Sequence, residues 1–209
     1  MIICHDPKFV YYAPPKTGTK SLGTIFMDRG WIEGQGGKHH IETDLPIQQL
    51  QRSGYFFFIT VRNPYARTVS LWKHFQKKTF PKGKWPPGRK ELYDDLQGKG
   101  FGHFVLSDWT KHSHHIAQGL WHQYFYFQAM PECDKVVRME SFEQDVRSLP
   151  FLPDDQKIPH ENLRILAPWQ KYYEDKDGEE LAARVYLTYA PDFDYFNYAE
   201  DSWKPCSTS

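Results

Sequence analysis

Apolar residues along the chain fall into short continuous runs and longer periodic ones, separated by glycine, proline and polar clusters. The run FVYYAP, stopped by Pro14 and Pro15, predicts a buried strand. Between Thr19 and Arg29, Leu22, Ile25 and Phe26 recur at helical spacing, and Gly30 stands where that helix would end. WIEGQGGKHHIETDLP reads as a loop around its glycines, and LPIQQLQRSG predicts a short amphipathic helix with Gly54 behind it. YFFFITVR, residues 55–62, is the clearest strand, apolar and β-branched throughout as a strand covered on both faces must be. Asn63 and Pro64 then read as N-cap and first helical position, and Tyr65, Val69, Trp72 and Phe75 line one side of the helix that follows. Residues 79–100, rich in Gly, Pro and Lys, read as a mobile insertion or lid. HIAQGLWHQYFYFQAM reads as helical or irregular. KVVRME predicts a further strand, with a helix from Ser141 that Glu143 or Gln144 helps to cap. GEELAARVYLTYAPDFDYF predicts a helix ended by Pro191 and then an aromatic tail.

Strands that alternate with helices imply an α/β fold with a mainly parallel central sheet flanked by helices. At 209 residues, with no internal repeat and no linker, residues 1–209 read as one domain. An apolar share of 40% and an aromatic share of 17% argue against disorder of the whole chain. The three cysteines, Cys4, Cys133 and Cys206, lack metal-ligand spacing and leave an odd thiol, which favours a reducing compartment. No apolar run reaches membrane-spanning length, and MIICHDPKF lacks the apolar core of a signal peptide. The expectation is a cytoplasmic protein with no membrane partner.

The net charge of zero conceals an asymmetry. Between Asp44 and Glu91 there is no acidic residue, while Arg52, Arg62, Arg67, Lys73 and six more basic residues lie there. An anionic ligand near the first half of the fold would explain it, or a solvated basic loop. Nucleic acid is disfavoured, because the basic run carries no reading motif. The two sharpest features each sit where a strand gives way to a helix, the edge at which parallel sheets bind ligands. The first turn presents Lys16, Thr17, Gly18, Thr19, Lys20 and Ser21, whose backbone amides, hydroxyls and ammonium groups suit an anion. It departs from the nucleoside-triphosphate loop, having Ala13 or Pro14 for the first glycine and Thr19 between Gly18 and Lys20. The second turn presents Arg62, with its planar fork, and Ser70, which shares a helical face with Arg67. Two separate anion sites suit a nucleotide phosphorylated at both its 5′ and 3′ positions.

PKTGTKSL followed by FFFITVRNPYARTVSLW resembles the sulfotransferases, and within them the carbohydrate (family 2-like) branch. VVRMESFEQDV and the C-terminal run from PHENLRILAPW to DYFNY resemble further segments of that family, leaving residues 76–118 the least accounted for. The resemblance implies a three-layer P-loop-like fold and an enzyme that uses 3′-phosphoadenosine-5′-phosphosulfate (PAPS) as donor and releases 3′-phosphoadenosine-5′-phosphate (PAP), with no metal. It implies that Lys16 contacts the bridging and sulfuryl oxygens, that the 16–21 loop holds the 5′-phosphosulfate, and that Arg62 and Ser70 hold the 3′-phosphate. The acceptor it implies is a hydroxyl, on a carbohydrate. Lys20 departs from the family, which has a small hydroxyl residue there.

Removal of the acceptor's proton calls for a base near neutrality, and histidine supplies one. By resemblance, a Lys-His segment between the two cofactor motifs carries it, and in GGKHHIETDL the spacing to Leu45 favours His39, then His40, with Glu42 as a fallback. A polar loop histidine that merely lies near the substrate is the plainer alternative. The cluster of His112, His114 and His115, with His103 and His122 nearby, contains no cysteine and does not make a closed zinc site. Two alternatives remain. A P-loop nucleotide kinase or NTPase would need the missing glycine and an acidic strand end for Mg²⁺. A non-catalytic binder of anionic glycans would have no need of Lys16, Arg62 and Ser70 together.

Overall fold

A computed structural model of the chain describes residues 1–31, 47–76, 89–107, 122–128, 133–159 and 168–205. They fall into two compact units, Met1–Arg62 with Gln123–Arg164, and Asn63–His122 with Ile165–Ser209.

The first unit holds a four-stranded sheet in the order β1 (Ile2–His5), β2 (Lys8–Tyr12), β3 (Phe56–Val61), β4 (Lys135–Arg138). β2, β3 and β4 are parallel, with Tyr11 opposite Phe58 and Val61 opposite Arg138. The α/β class and the mainly parallel sheet expected from the alternation are present. β1 was not foreseen. It pairs antiparallel with β2 at the sheet edge, Cys4 opposite Phe9. Alternate residues of the strands pack with α1 (Thr19–Asp28) and α7 (Phe142–Arg147) in one core, in which Phe9 stacks on Phe151 at 4.6 Å and Tyr11 on Phe58 at 4.7 Å between ring centres. Val10, Tyr12, Phe57 and Ile59, which point the other way, are buried too, so both faces of the sheet are out of water. α1 ends as its sequence predicts. Gly30 takes a left-handed φ of 67°, and the Trp31 amide reaches back to the Phe26 carbonyl at 2.9 Å. The short helices α2 (Ile47–Arg52) and α6 (Gln123–Gln128) complete the unit.

The capping expected at α7 takes another form. The Ser141 side chain makes no cap bond and instead donates to the Asp145 carboxylate at 2.7 Å. Asp145 also accepts the Arg138 amide at 2.8 Å and lies 3.1 Å from the Lys135 ammonium, tying α7 to β4.

The second unit is helical: α3 (Pro64–Phe75), α4 (Arg89–Leu96), α5 (Phe101–Leu106), a 3₁₀ turn (Trp169–Tyr173) and α8 (Gly178–Phe196). Tyr65, Phe75, Phe104, Tyr173, Val185 and Phe193 form its core. Residues 79–88 of the stretch read as an insertion lie outside the described residues; its later part includes α4, whose Tyr93 and Leu96 are buried. Pro191 does not end the last helix. Tyr189 leaves helical geometry (φ −118°, ψ 24°), and the helix resumes with Pro191 in the first turn after the kink, where a missing N–H costs nothing. Beside the kink, Arg67 and Asp192 form a wholly buried pair at 3.9 Å, and the Arg67 guanidinium lies 5.5 Å from the centre of the Tyr189 ring.

Candidate functional site

Two consecutive parallel strands, β2 and β3, deliver their carboxyl ends to the same edge of the sheet. The turn after β2 and the first residues of α1 carry Lys16 to Ser21. Two of these residues are left-handed, Lys16 at φ 72° and Gly18 at φ 84°. For Lys16 this is a strained conformation that the surrounding structure must enforce. Gly18 has no alternative, since besides its φ a Cβ would run into the Sδ of Met139. Alternation of handedness turns successive amides toward one side, a shape that cradles anions. α1 starts at Thr19 with no side-chain cap and no acidic residue in its first turn. Its leading amides and its dipole thus favour a negative ligand.

The loop is anchored by a run of buried hydroxyls whose direction can be deduced. Thr17 Oγ1 donates to the Pro14 carbonyl at 2.6 Å, because a carbonyl only accepts. Its single proton is thereby used, so at 2.7 Å it accepts from Thr60 Oγ1, which in turn accepts from the Tyr11 hydroxyl at 2.8 Å. Burial pushes the Tyr11 phenol up to about 12, with the Thr60 and Thr19 hydroxyls pulling the other way, so it keeps the proton it donates to Thr60. Thr19 Oγ1 also donates to Pro14, at 3.3 Å. The Thr17 side chain is therefore a strut between loop and β3; what it can offer a ligand is its backbone. Lys16 is half-buried and Ser21 buried, whereas Lys20 is exposed, which answers where the unusual lysine goes.

The turn after β3 is built differently. Arg62 is buried and directly follows the strand. Asn63 caps α3, its Oδ1 accepting the amides of Tyr65 at 3.0 Å and Ala66 at 3.4 Å. The leading amides of α3 are occupied, so an anion here would rely on side chains such as the Arg62 guanidinium. The Arg62 backbone is held on both sides by Gln123, whose Oε1 accepts its N–H at 2.7 Å and whose Nε2 donates to its carbonyl at 2.8 Å. Ser70 is buried on α3 in the second unit. The structure thus brings Lys16–Ser21 and Arg62 to neighbouring strand ends. His39, His40 and Glu42 lie outside the described residues, as do His112, His114 and His115. Among the described residues no group of three or more His, Cys, Asp or Glu could hold a metal, and no helix is long and apolar enough to cross a membrane.

The profile of the sulfotransferase family matches residues 1–199. The chain belongs to the sulfotransferase family. No curated protein and no solved structure matches it. In this sulfotransferase the two turns differ: one helix start has no side-chain cap, and the other is closed by its own asparagine. Tyr11, Thr60 and Gln123 were not singled out from the sequence. Tyr11 and Thr60 read as ordinary strand residues. Gln123 lies in LWHQYFYF, inside the stretch that reads only as helical or irregular.

Proposed function

We propose that this sulfotransferase moves a sulfuryl group from PAPS to a hydroxyl, on a carbohydrate, by in-line displacement. The observation that carries the reading is the loop after β2, left-handed at Lys16 and Gly18 and opening an uncapped helix, in a chain that matches the sulfotransferase family over residues 1–199. The donor set suits a doubly phosphorylated nucleotide. Residues Lys16–Ser21 take the 5′-phosphosulfate through loop and helix amides, and Arg62 with Ser70 takes the 3′-phosphate. His39 accepts the proton of the acceptor hydroxyl as its oxygen bonds to sulfur. The bond from sulfur to the bridging phosphate oxygen breaks, and the Lys16 ammonium stabilises the charge that collects there. No divalent ion is needed in this scheme, because the cations are side chains.

Radiolabelled PAPS offered with a panel of hydroxyl-bearing glycans tests the activity; label should move to at least one of them. PAP should raise the melting temperature well above the value with ADP and Mg²⁺, and the reverse preference would favour a nucleotide kinase. His39→Ala should remove the acid limb of the pH–rate profile and slow transfer about 10²–10⁴-fold while sparing PAP binding. Should His40→Ala do this instead, the base is the neighbouring histidine.

A further inference from the structure

β3 outruns its partner. The ladder to β4 ends at Val61 opposite Arg138, after which the chain turns into the 3₁₀ segment Met139–Ser141. Arg62, one residue further, is buried, and its peptide groups still require partners. Gln123 supplies both. Its amide carries a donor and an acceptor side by side, as a peptide does, and closes a two-point pairing with the Arg62 N–H and carbonyl at 2.7 and 2.8 Å. The pairing fixes the orientation of the amide, since only Oε1 can accept and only Nε2 can donate. Gln123 is wholly buried, so water cannot replace it.

We infer that Gln123 is a positioning residue for phosphate recognition: it extends the sheet by one residue and fixes the Arg62 backbone from which the guanidinium reaches the nucleotide. The inference rests on the reading of Arg62 as a 3′-phosphate ligand. A side chain with many rotamers binds more tightly when its stem is fixed, because less freedom is lost on contact. Leu or Met could fill much of the same volume, but neither offers a donor and an acceptor.

Calorimetric titration with PAP and with adenosine 5′-phosphate, which differ only in the 3′-phosphate, gives a preference ratio for each variant. Wild type should prefer PAP strongly, and Arg62→Ala should lose most of that preference; if either fails, the reading of Arg62 fails first. With that established, Gln123→Met should cut the ratio about tenfold while leaving adenosine 5′-phosphate affinity within about twofold. In the Arg62→Ala background the same substitution should leave the ratio unchanged, because Gln123 acts through Arg62. Gln123→Asn keeps a buried amide but falls one methylene short, and should reproduce the loss. Equal weakening of both nucleotides, a further loss of preference in the Arg62→Ala background, or failure of both Gln123 variants to fold would overturn the proposal and leave Gln123 a structural residue.

Discussion

Lys16 carries its ammonium group on a backbone that its own Cβ disfavours, at φ 72°. Charge placed where a leaving group becomes negative acts on the transition state more than on the bound donor. Lys16→Ala should accordingly lower kcat by about two to three powers of ten with a small change in PAP affinity, measured by single-turnover kinetics and titration. A raised KM at normal kcat would contradict the role. Thr60 is a different kind of residue, uncharged and buried, and it anchors the loop through Thr17. Thr60→Val would leave the Thr17 and Tyr11 hydroxyls buried without the partner between them, which should cost about 1–3 kcal/mol in urea unfolding. Thr60→Ser restores the hydroxyl and should recover most of that loss. Of these residues, Lys16 and Gly18 were legible in the sequence because proline, lysine and glycine at those spacings have few uses. The Thr17–Thr60–Tyr11 run was not, because it joins residues 43 and 49 apart in the chain and depends on strand pairing.

At the scale of elements, the junction of β4 and α7 turns on Asp145. Burial alone would raise its carboxyl, but the Arg138 amide, the Ser141 hydroxyl and the Lys135 ammonium outweigh it and hold the group below the ordinary carboxylate range. A depressed folded value means that the ionised form stabilises the fold above the ordinary range, and that this contribution fades as pH falls through the folded value. Asp145→Asn should therefore lower the urea midpoint near neutral pH and flatten its fall as pH drops through and below the ordinary carboxylate value. An unchanged acid slope would show that other carboxylates dominate. β3 and α3 could be read from the sequence because a continuous apolar run meets an Asn-Pro start, a local signal for each element. β1 could not, since four residues acquire strand geometry only by pairing with β2. Pro191 misled because proline closes one helix and opens the next with equal ease, and the kink at Tyr189 that separates the two is set by packing.

Across the whole molecule, the described residues gather around two hydrophobic cores, one under the sheet and one among the helices of the second unit. The second core encloses a charge pair, Arg67 with Asp192. Removal of one member leaves the other buried and uncompensated, so Arg67→Met should destabilise the protein by about 3–5 kcal/mol. The double variant Arg67→Met, Asp192→Leu should recover much of that in thermal unfolding; if it does not, the pair contributes through contacts other than charge. From the sequence, Arg67 reads as a companion of Ser70 on an anion-facing helix side. Its burial against Asp192 emerges only from the packing of α3 with α8 in that unit, two helices far apart in the chain.

The left-handed turn at Lys16 sets stability and turnover against each other. Lysine in that conformation costs about 1–2 kcal/mol that glycine would not. A library selected for heat resistance alone would therefore enrich Lys16→Gly, and, on the role proposed for the lysine, each round of improvement would return a sturdier protein that turns over more slowly. Selection for activity works in the opposite direction and retains the strained lysine. Engineering for robustness would have to hold position 16 fixed and look for its gains elsewhere in the chain.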